Sequence, residues 1–279
     1  MDSLVSTQWL ANALGAADLI VLDTSKHLPA ANRDAVAEFE QAHIPGARFF
    51  DQGALVDTAS PVPQSHPRPE QLASVLSDCG ITAETRIVLY DDSAVKSAAR
   101  AWFLLQAHGL TRVAILDGGL AKWRSEGRDL AQGASQMEPE EMLSLETPTR
   151  IWYKKRMIAN IESSESQVLD ARDEGRFSGR VSDDVHNLAS GHIPGSCNLP
   201  FSKLFAEDGT YRPFEELRAA IREAGIAAGK PVTTTCGSGM TASVLLFALH
   251  LTGRNDTALY DGSWLDWGSD PSTPKAVLD

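Results

Sequence analysis

Short apolar segments rich in β-branched residues alternate with longer amphipathic segments along this chain, a pattern that predicts strands alternating with helices. The predicted strands cover residues 18–23, 86–90, 112–116, 167–170, 231–235 and 257–260. The predicted helices cover residues 70–76, 98–106, 214–224 and 242–251. Each helix is followed by a glycine suited to a left-handed ending, namely Gly80, Gly109, Gly225 and Gly253. Apolar strands that alternate with helices predict an α/β fold with mainly parallel sheets flanked by helices on both faces.

Two motifs occur twice, in the same order, which indicates two tandem copies of one fold. His-Ile-Pro-Gly stands at residues 43–46 and again at 192–195, an offset of 149. Leu-Asp-Gly-Gly-Leu-Ala-Lys-Trp at 116–123 recurs as Tyr-Asp-Gly-Ser-Trp-Leu-Asp-Trp at 260–267, an offset of 144. We therefore predict one domain over residues 1–127, a polar linker over 128–150 and a second domain over 151–279. The paired histidines are expected to be structural, and the paired tryptophans to belong to the core or to an interface.

Composition narrows the classes of function that the chain can have. Of its 279 residues, 43% are hydrophobic and 22% are charged, with a net charge of −12 and a pI near 5.0. This acidity argues against a nucleic-acid partner or an anionic membrane surface. The three cysteines, Cys79, Cys197 and Cys236, lack metal-ligand spacing, so neither a metal nor a cofactor is expected. Sparse cysteines, no signal-like N-terminus and no apolar run near 20 residues predict a cytoplasmic protein that has no membrane partner.

Cys236 carries the strongest chemical signal in the sequence. It ends the predicted strand 231–235 and opens the loop Cys-Gly-Ser-Gly-Met-Thr, after which an apolar helix begins at once. Backbone N–H groups converge at such a turn, and the helix dipole is positive there, so a thiolate is favoured over a thiol. Gly237 and Gly239 let the loop close around the sulfur. The sequence therefore predicts a nucleophilic cysteine in the second domain.

Comparison of the two halves limits the chemistry further. The first half has Asp91 where the second has Cys236, so the first domain is expected to be non-catalytic. A cysteine phosphatase needs an arginine six residues after its cysteine, and this chain has Ala242 there. A disulfide exchange enzyme needs a second cysteine close by, and none is near in the sequence. Neither class of enzyme therefore fits the cysteine.

The segment 236–242, both His-Ile-Pro-Gly segments and Tyr-Asp-Gly-Ser-Trp at 260–264 together resemble the two-domain sulfurtransferases of the rhodanese family. The similarity runs through nearly the whole chain. Neutral Gly237 and Ser238 follow the cysteine, as in members that use 3-mercaptopyruvate, whereas members that prefer thiosulfate usually have basic residues there. The resemblance implies two rhodanese domains, an active C-terminal domain and a cleft between them.

What the resemblance implies about the site is specific. Cys236 would take a sulfur atom from a small anionic donor and pass it, as a persulfide, to cyanide, a small thiol or a thioredoxin-like protein. Ser238 would bind the donor, and Thr241 would cap the helix and orient the loop. Arg176 would contact the donor carboxylate and Arg172 would set the local field. The backbone N–H groups that would hold the persulfide charge belong to the loop residues Gly237, Ser238, Gly239, Met240 and Thr241.

Two departures from the family pattern leave the identity of the sulfur donor undecided. Val185 stands where the mercaptopyruvate enzymes have a second arginine. Gly53 and Gln64 stand where they have an acidic residue and a histidine, although His66 is close to the second position. A thiosulfate sulfurtransferase that forms the same persulfide, or a non-catalytic sulfur-carrier module, is therefore an alternative to a mercaptopyruvate enzyme.

Overall fold

The computed structural model describes residues 1–134, 139–183 and 188–278, which form two compact units. Unit 1 contains Met1–Val56, His66–Pro148 and Ala206–Tyr211. Unit 2 contains Asp57–Ser65, Thr149–Phe205 and the chain from Arg212 onward. Each unit thus includes one short segment from the other half of the sequence. These segments begin at residues 57 and 206, which are 149 positions apart, the same offset as between the His-Ile-Pro-Gly segments.

Unit 1 is built on a five-stranded parallel sheet with the strand order β1-β5-β4-β2-β3. Its strands are β1 (Leu4–Val5), β2 (Leu19–Asp23), β3 (Arg48–Phe49), β4 (Arg86–Tyr90) and β5 (Val113–Leu116). Its helices are α1 (Thr7–Ala13), α2 (Ala35–Gln41), α3 (Pro69–Asp78), α4 (Ala98–Ala107) and α5 (Gly119–Ser125), with a short 3₁₀ helix at Pro29–Ala31.

Unit 2 repeats this architecture with the strand order β6-β10-β9-β7-β8, again all parallel. Its strands are β6 (Ile151–Trp152), β7 (Gln167–Asp170), β8 (Cys197–Asn198), β9 (Val232–Thr235) and β10 (Thr257–Tyr260). Its helices are α6 (Lys154–Ser163), α7 (Glu174–Ser178), α8 (Phe214–Glu223), α9 (Ala242–Leu251) and α10 (Ser263–Trp267), with a 3₁₀ helix at Phe201–Leu204. The predicted α/β class with two tandem parallel sheets is confirmed.

The elements predicted from the sequence are all present, with ends that move by at most two residues. The elements that the sequence analysis did not identify are strands of two residues, 3₁₀ helices of three and four residues, and α-helices of five to ten residues, of which only α6 is as long as the helices that were identified. Two-residue strands have too few positions to show an alternating pattern, so only their neighbours in the sheet define them. Within the described residues, none of the helices combines the length and the apolar character that a membrane span requires.

Helix α9 anchors the Cys236 loop to the core. It is apolar on nearly every side, and Val244, Leu246, Phe247 and Leu249 are fully buried. Burial of such side chains stabilises the fold by about 1.5–3 kcal/mol each. The loop that precedes α9 is therefore attached to a helix that is buried in the core of unit 2.

Both histidines of the repeated motif have structural roles. His43 Nδ1 lies 2.8 Å from the carbonyl oxygen of Phe39, and the two rings stack with centroids 4.1 Å apart. His192 Nδ1 lies 2.8 Å from the carbonyl oxygen of Phe177, with centroids 4.0 Å apart. Both histidines are buried. The same contacts in both units confirm the structural reading and the internal repeat.

The polar segment 128–150 belongs to unit 1 up to Pro148 where the structure describes it, whereas Thr149 and Arg150 belong to unit 2. Ala131 and His43 exchange two backbone hydrogen bonds of 3.0 and 2.8 Å, and Glu146 N–H donates to the carbonyl of His108. Residues 135–138 of this segment lie outside the described residues. The domain limits of 1–127 and 151–279 stay a prediction.

Candidate active site

The Cys236 loop lies at the carboxyl end of the central strand of unit 2. Strand β9 pairs with β10 on one side and with β7 on the other, so the segments that follow these three strands share one edge of the sheet. The connections leave β9 and β7 in opposite directions along the sheet, and ligands of open α/β sheets bind at such a switch point. Cys236 is the first residue after β9, and only 1% of its surface is exposed.

Ser263, the first residue of α10, fixes the shape of this loop from the segment that follows the neighbouring strand β10. Its Oγ accepts hydrogen bonds from the N–H groups of Cys236 and Gly239, each 3.1 Å long, and donates to the carbonyl of Tyr260 at 2.9 Å. The same oxygen lies 4.0 Å from Cys236 Sγ. Ser263 is fully buried and has a left-handed backbone with φ of 50°. A strained, buried residue of this kind is typical of a functional site.

The remaining N–H groups of the loop have no protein acceptor among the described residues. They belong to Gly237, Ser238, Met240, Thr241 and the first helical residue, Ala242. The N–H of Gly239 is different, because it donates to Ser263; the expectation that it holds the persulfide charge is therefore corrected. Gly239 instead serves the loop through its left-handed φ of 79°.

Unit 1 shows which N–H groups hold an anion at this position. Asp91 is the first residue after β4, and Cys236 is the first residue after β9. The backbone carbonyl of Asp91 accepts the N–H of Leu120, and in the same way the carbonyl of Cys236 accepts the N–H of Trp264. The carboxylate of Asp91 accepts the N–H of Ser93 at 3.0 Å and that of Ala98, the first residue of α4, at 2.7 Å. The corresponding N–H groups of unit 2, those of Ser238 and Ala242, are open. The loop is therefore suited to hold a sulfur anion in the same place.

The side chains of the loop divide into buried and accessible ones. Ser238, Met240 and Thr241 are partly exposed, whereas Cys236 and the two glycines beside Ser238 are buried. Thr241 holds the N-cap position, but its side chain makes no capping hydrogen bond, so the predicted cap is wrong. Its φ and ψ of −73° and −19° are helical, whereas a capping hydroxyl needs an extended backbone to reach the next turn.

Arg172 occupies a buried site in the structure. Its guanidinium group forms ion pairs with Asp170 at 2.7 Å and with Asp183 at 3.7 Å, and it donates to the carbonyl of Gly191 at 2.8 Å. It also lies 4.4 Å from the ring centroid of Trp264, and 1% of its side chain is exposed. The expected field-setting role is corrected, because two buried carboxylates neutralise the charge and enclose the side chain.

Arg176 keeps part of its guanidinium group accessible. Its Nε donates to Asp173 at 2.5 Å and its Nη1 to Asp183 at 3.5 Å, while 21% of the side chain is exposed. Within the described residues its Nη2 has no acceptor. Arg176 can therefore offer a hydrogen-bond donor to a carboxylate, although Asp173 and Asp183 already pair with its charge.

Other positions flagged from the sequence lie outside the Cys236 loop in the chain. Val185 lies outside the described residues. Gly53 and His66 belong to unit 1, and Gln64 belongs to unit 2. Burial raises the pKa of Cys79 to about 11. Within the described residues, no cluster of three or more histidine, cysteine, aspartate or glutamate side chains is suited to hold a metal ion.

Two residues of the loop geometry escaped the sequence analysis, namely Ser263 and Ala242. A signal for Ser263 was present, because the repeat has Gly119 at the position of Ser263 and Asp91 at the position of Cys236. The two differences occur together, and the structure places Ser263 against Cys236. The serine therefore accompanies the cysteine in the half that has the open loop.

Comparison with known proteins agrees with this geometry. The model of the Rhodanese-like domain matches residues 6–126 and 154–270. A 3-mercaptopyruvate sulfurtransferase of Homo sapiens is 39% identical over 271 residues, which are 95% of this chain and 91% of the human protein. A thiosulfate sulfurtransferase of Gallus gallus is 36% identical over 271 residues, covering 95% of this chain and 93% of that protein. The crystal structure of a 3-mercaptopyruvate sulfotransferase from Escherichia coli matches with a TM-score of 0.86 at 34% identity, covering 95% of this chain and 99% of that one. With one family model on each half and the repeated sheet in both units, this chain belongs to the rhodanese family, as a member with two rhodanese domains.

Proposed function

We propose that the protein is a 3-mercaptopyruvate sulfurtransferase that works through a persulfide on Cys236. The observation that carries this proposal is the ring of open N–H groups at the Cys236 loop, at positions where unit 1 holds a carboxylate. Neutral Gly237 and Ser238 beside the sulfur support 3-mercaptopyruvate as the donor. The names of the human and bacterial relatives support the same substrate.

In the first step, the Cys236 thiolate attacks the sulfur atom of 3-mercaptopyruvate. An S–S bond forms, the C–S bond of the donor breaks, and its electron pair goes to the carbon, which takes up the proton of the donor thiol. The products are a Cys236 persulfide and pyruvate. The open N–H groups of Ser238 and Ala242 stabilise the negative charge on sulfur, because they are fixed before the reaction.

In the second step, an acceptor thiolate or cyanide attacks the outer sulfur of the persulfide. The acceptor–sulfur bond forms and the S–S bond to Cys236 breaks, which restores the thiolate. Two half-reactions on one cysteine predict ping-pong kinetics. The accessible Nη2 of Arg176 supports a role as the contact for the donor carboxylate, with Ser238 as a second contact.

The decisive experiment compares 3-mercaptopyruvate and thiosulfate as donors for the same enzyme preparation. We expect a higher kcat/KM with 3-mercaptopyruvate. A thiosulfate sulfurtransferase is the second candidate, supported by the avian relative of that name, and a higher kcat/KM with thiosulfate would select it.

Mass spectrometry of donor-treated protein tests the persulfide itself. The peptide that contains Cys236 should gain one sulfur atom, and Cys236→Ser should abolish this gain. Cys79→Ser and Cys197→Ser are matched controls that should leave it unchanged. If the peptide gains no sulfur from either donor, the protein is an inert scaffold, whereas a peptide that gains sulfur in a protein that does not turn over identifies a non-catalytic sulfur carrier.

We also propose a reducing compartment, such as the cytoplasm, as the location. All three cysteines are free in the structure, which supports this proposal.

A further inference from the structure

The guanidinium group of Arg176 has a hydrogen-bonding edge that is only half occupied. A guanidinium group binds a carboxylate most strongly when Nε and Nη2 donate together, one to each oxygen. Arg33, Arg86 and Arg172 each donate from both nitrogens to one carboxylate, over distances of 2.6–3.1 Å. In Arg176, Nε donates to Asp173 at 2.5 Å, whereas Nη2 has no acceptor among the described residues. One half of this edge is therefore available to a ligand.

The helix cap explains why Asp173 fills only one half of the edge. Asp173 is the N-cap residue of α7, and its Oδ1 accepts the backbone N–H of Arg176 at 3.0 Å. Its Oδ2 accepts from Nε, so the two oxygens are held in different directions and neither reaches Nη2. A cap needs only one oxygen, as Asp34 shows in unit 1, where Oδ1 accepts both capping N–H groups of α2. The contact between Asp173 and Nε is therefore additional to the cap.

The two carboxylates that pair with Arg176 differ in how readily a ligand can displace them. Asp183 is fully buried and is shared between Arg176 at 3.5 Å and Arg172 at 3.7 Å, so it is part of the interior of unit 2. The side chain of Asp173 is 56% exposed. Exposed ion pairs are weak, because water solvates the separated charges well. Asp173 is therefore the partner that a ligand can replace.

Contacts within unit 2 connect Arg176 to the Cys236 loop. Asp183 lies between Arg176 and Arg172, and the guanidinium group of Arg172 lies 4.4 Å from the ring centroid of Trp264. The N–H of Trp264 donates to the carbonyl of Cys236 at 2.9 Å. Helix α7 also follows β7, which pairs directly with β9, the strand that ends before Cys236. Arg176 thus belongs to the same edge of the sheet as the cysteine.

We propose that Asp173 is an intramolecular competitor of the donor carboxylate at Arg176 and thereby sets the affinity for the sulfur donor. This inference rests on the proposed function and adds the residue that determines the affinity of that site. The donor carboxylate takes both Nε and Nη2, while Oδ2 of Asp173 turns away from Nε and Oδ1 keeps the cap. A planar carboxylate gains the bond to Nη2 that Asp173 cannot make, so the edge favours donors that carry one.

The experiment measures the loading of Cys236 in the full-length protein under single-turnover conditions. Pyruvate release is followed over a series of 3-mercaptopyruvate concentrations, which gives the limiting rate and the donor concentration at half of that rate. The loaded protein is then separated from the products by gel filtration, and cyanide removes the sulfur. This second step involves no donor carboxylate, so its rate reports whether the Cys236 loop is intact in each variant.

Asp173→Asn removes the competing charge and keeps the cap, because asparagine caps a helix as well as aspartate does. We expect the half-saturating concentration of 3-mercaptopyruvate to fall about three- to fivefold, with the limiting rate and the cyanide rate unchanged. Asp173→Ser also caps the helix, and its side chain is too short to reach Nε, so the fall should be at least as large. Damage to the fold would weaken donor binding and would not produce this gain.

Glu174→Gln is the matched control, because it removes one negative charge from the neighbouring residue, which is exposed and pairs with Lys203 at 2.6 Å. It should leave the half-saturating concentration unchanged, as should Asp173→Asn when it is added to Arg176→Met. An unchanged or higher half-saturating concentration in Asp173→Asn would overturn the inference. An equal fall in Glu174→Gln, or a fall that persists in the Arg176→Met background, would do the same. A wild-type protein that takes no sulfur from the donor would instead overturn the proposed function.

Discussion

Replacing Ser263 by alanine removes the hydroxyl group that holds the Cys236 loop, and the structure allows the effect to be worked out. The oxygen accepts two hydrogen bonds of 3.1 Å, from Cys236 and Gly239, inside a fully buried site. Each of the two buried N–H groups that lose their acceptor costs about 1–3 kcal/mol, so we expect the loop to be destabilised by about 2–6 kcal/mol. Alanine keeps the Cβ atom and therefore the same left-handed backbone constraint.

The catalytic consequence follows from the position of the sulfur. When Cys236 N–H loses its acceptor, the loop no longer fixes the sulfur relative to the open N–H groups. A displacement of about 1 Å in a reacting group can cost about a hundredfold in rate, so persulfide formation should slow about 10–100-fold. Single-turnover release of pyruvate measures this rate, and hydrogen–deuterium exchange of the peptide 232–242 measures the loss of loop stability.

Ser243→Ala provides the matched control for this experiment. Ser243 is also fully buried, and its hydroxyl donates to the carbonyl of Gly239 at 3.0 Å without bonding Cys236. We expect this control to keep the rate of persulfide formation within about twofold of the wild type. If Ser263→Ala forms the persulfide as fast as Ser243→Ala, the assignment of Ser263 as the residue that positions the loop is refuted.

Three further predictions concern residues whose roles differ in the structure. Arg172→Met should lower the free energy of unfolding by about 3–5 kcal/mol in urea titrations, because Asp170 stays buried without its cation. Arg176→Met should lower it by less than about 1 kcal/mol and should instead raise KM for 3-mercaptopyruvate. Equal losses of unfolding free energy in the two variants would contradict this distinction. Burial raises the pKa of the Cys79 thiol from 9.0 to about 11, so the contribution of this thiol to the free energy of unfolding is fully present below pH 9 and is lost as the pH rises toward 11. In urea titrations over that range, the free energy of unfolding should fall by up to about 2–3 kcal/mol more in the wild type than in Cys79→Ala. Identical curves for the two proteins would exclude the effect. Gly239→Ala should destabilise the loop by about 1–2 kcal/mol, measured by hydrogen exchange, because alanine is strained at a φ of 79°; unchanged exchange would show that the loop can relax.

The fold and the nucleophile could be predicted because their signals are local. An apolar β-branched run that ends in Cys-Gly-Ser-Gly and continues as an apolar helix defines the strand, the loop and the helix within twenty residues. The internal repeat then gave the number of domains and showed that only the second half carries the cysteine. These properties depend on neighbours in the sequence, and they were confirmed where the structure or the family comparison tests them.

The environment of the arginines could not be predicted, because it depends on contacts between distant elements. Arg172 and Arg176 are four residues apart and look alike in the sequence. Only the fold encloses Arg172 between Asp170, Asp183 and the ring of Trp264, and leaves Arg176 at the edge of the same cluster. Ser263 likewise reaches Cys236 from 27 residues away because β9 and β10 are adjacent in the sheet.

The carboxylate of Asp91 bears on whether a cysteine introduced into unit 1 would reproduce the Cys236 loop. A tethered anion never dissociates, so it competes with any incoming ion at an effective concentration that free solutes cannot reach. Changing only that aspartate to cysteine would leave Gly119 in place of the serine that shapes the other loop, and a loop that is one residue longer. Unit 1 therefore differs from unit 2 at several positions of this loop, and replacing Asp91 by cysteine would not by itself reproduce the Cys236 loop.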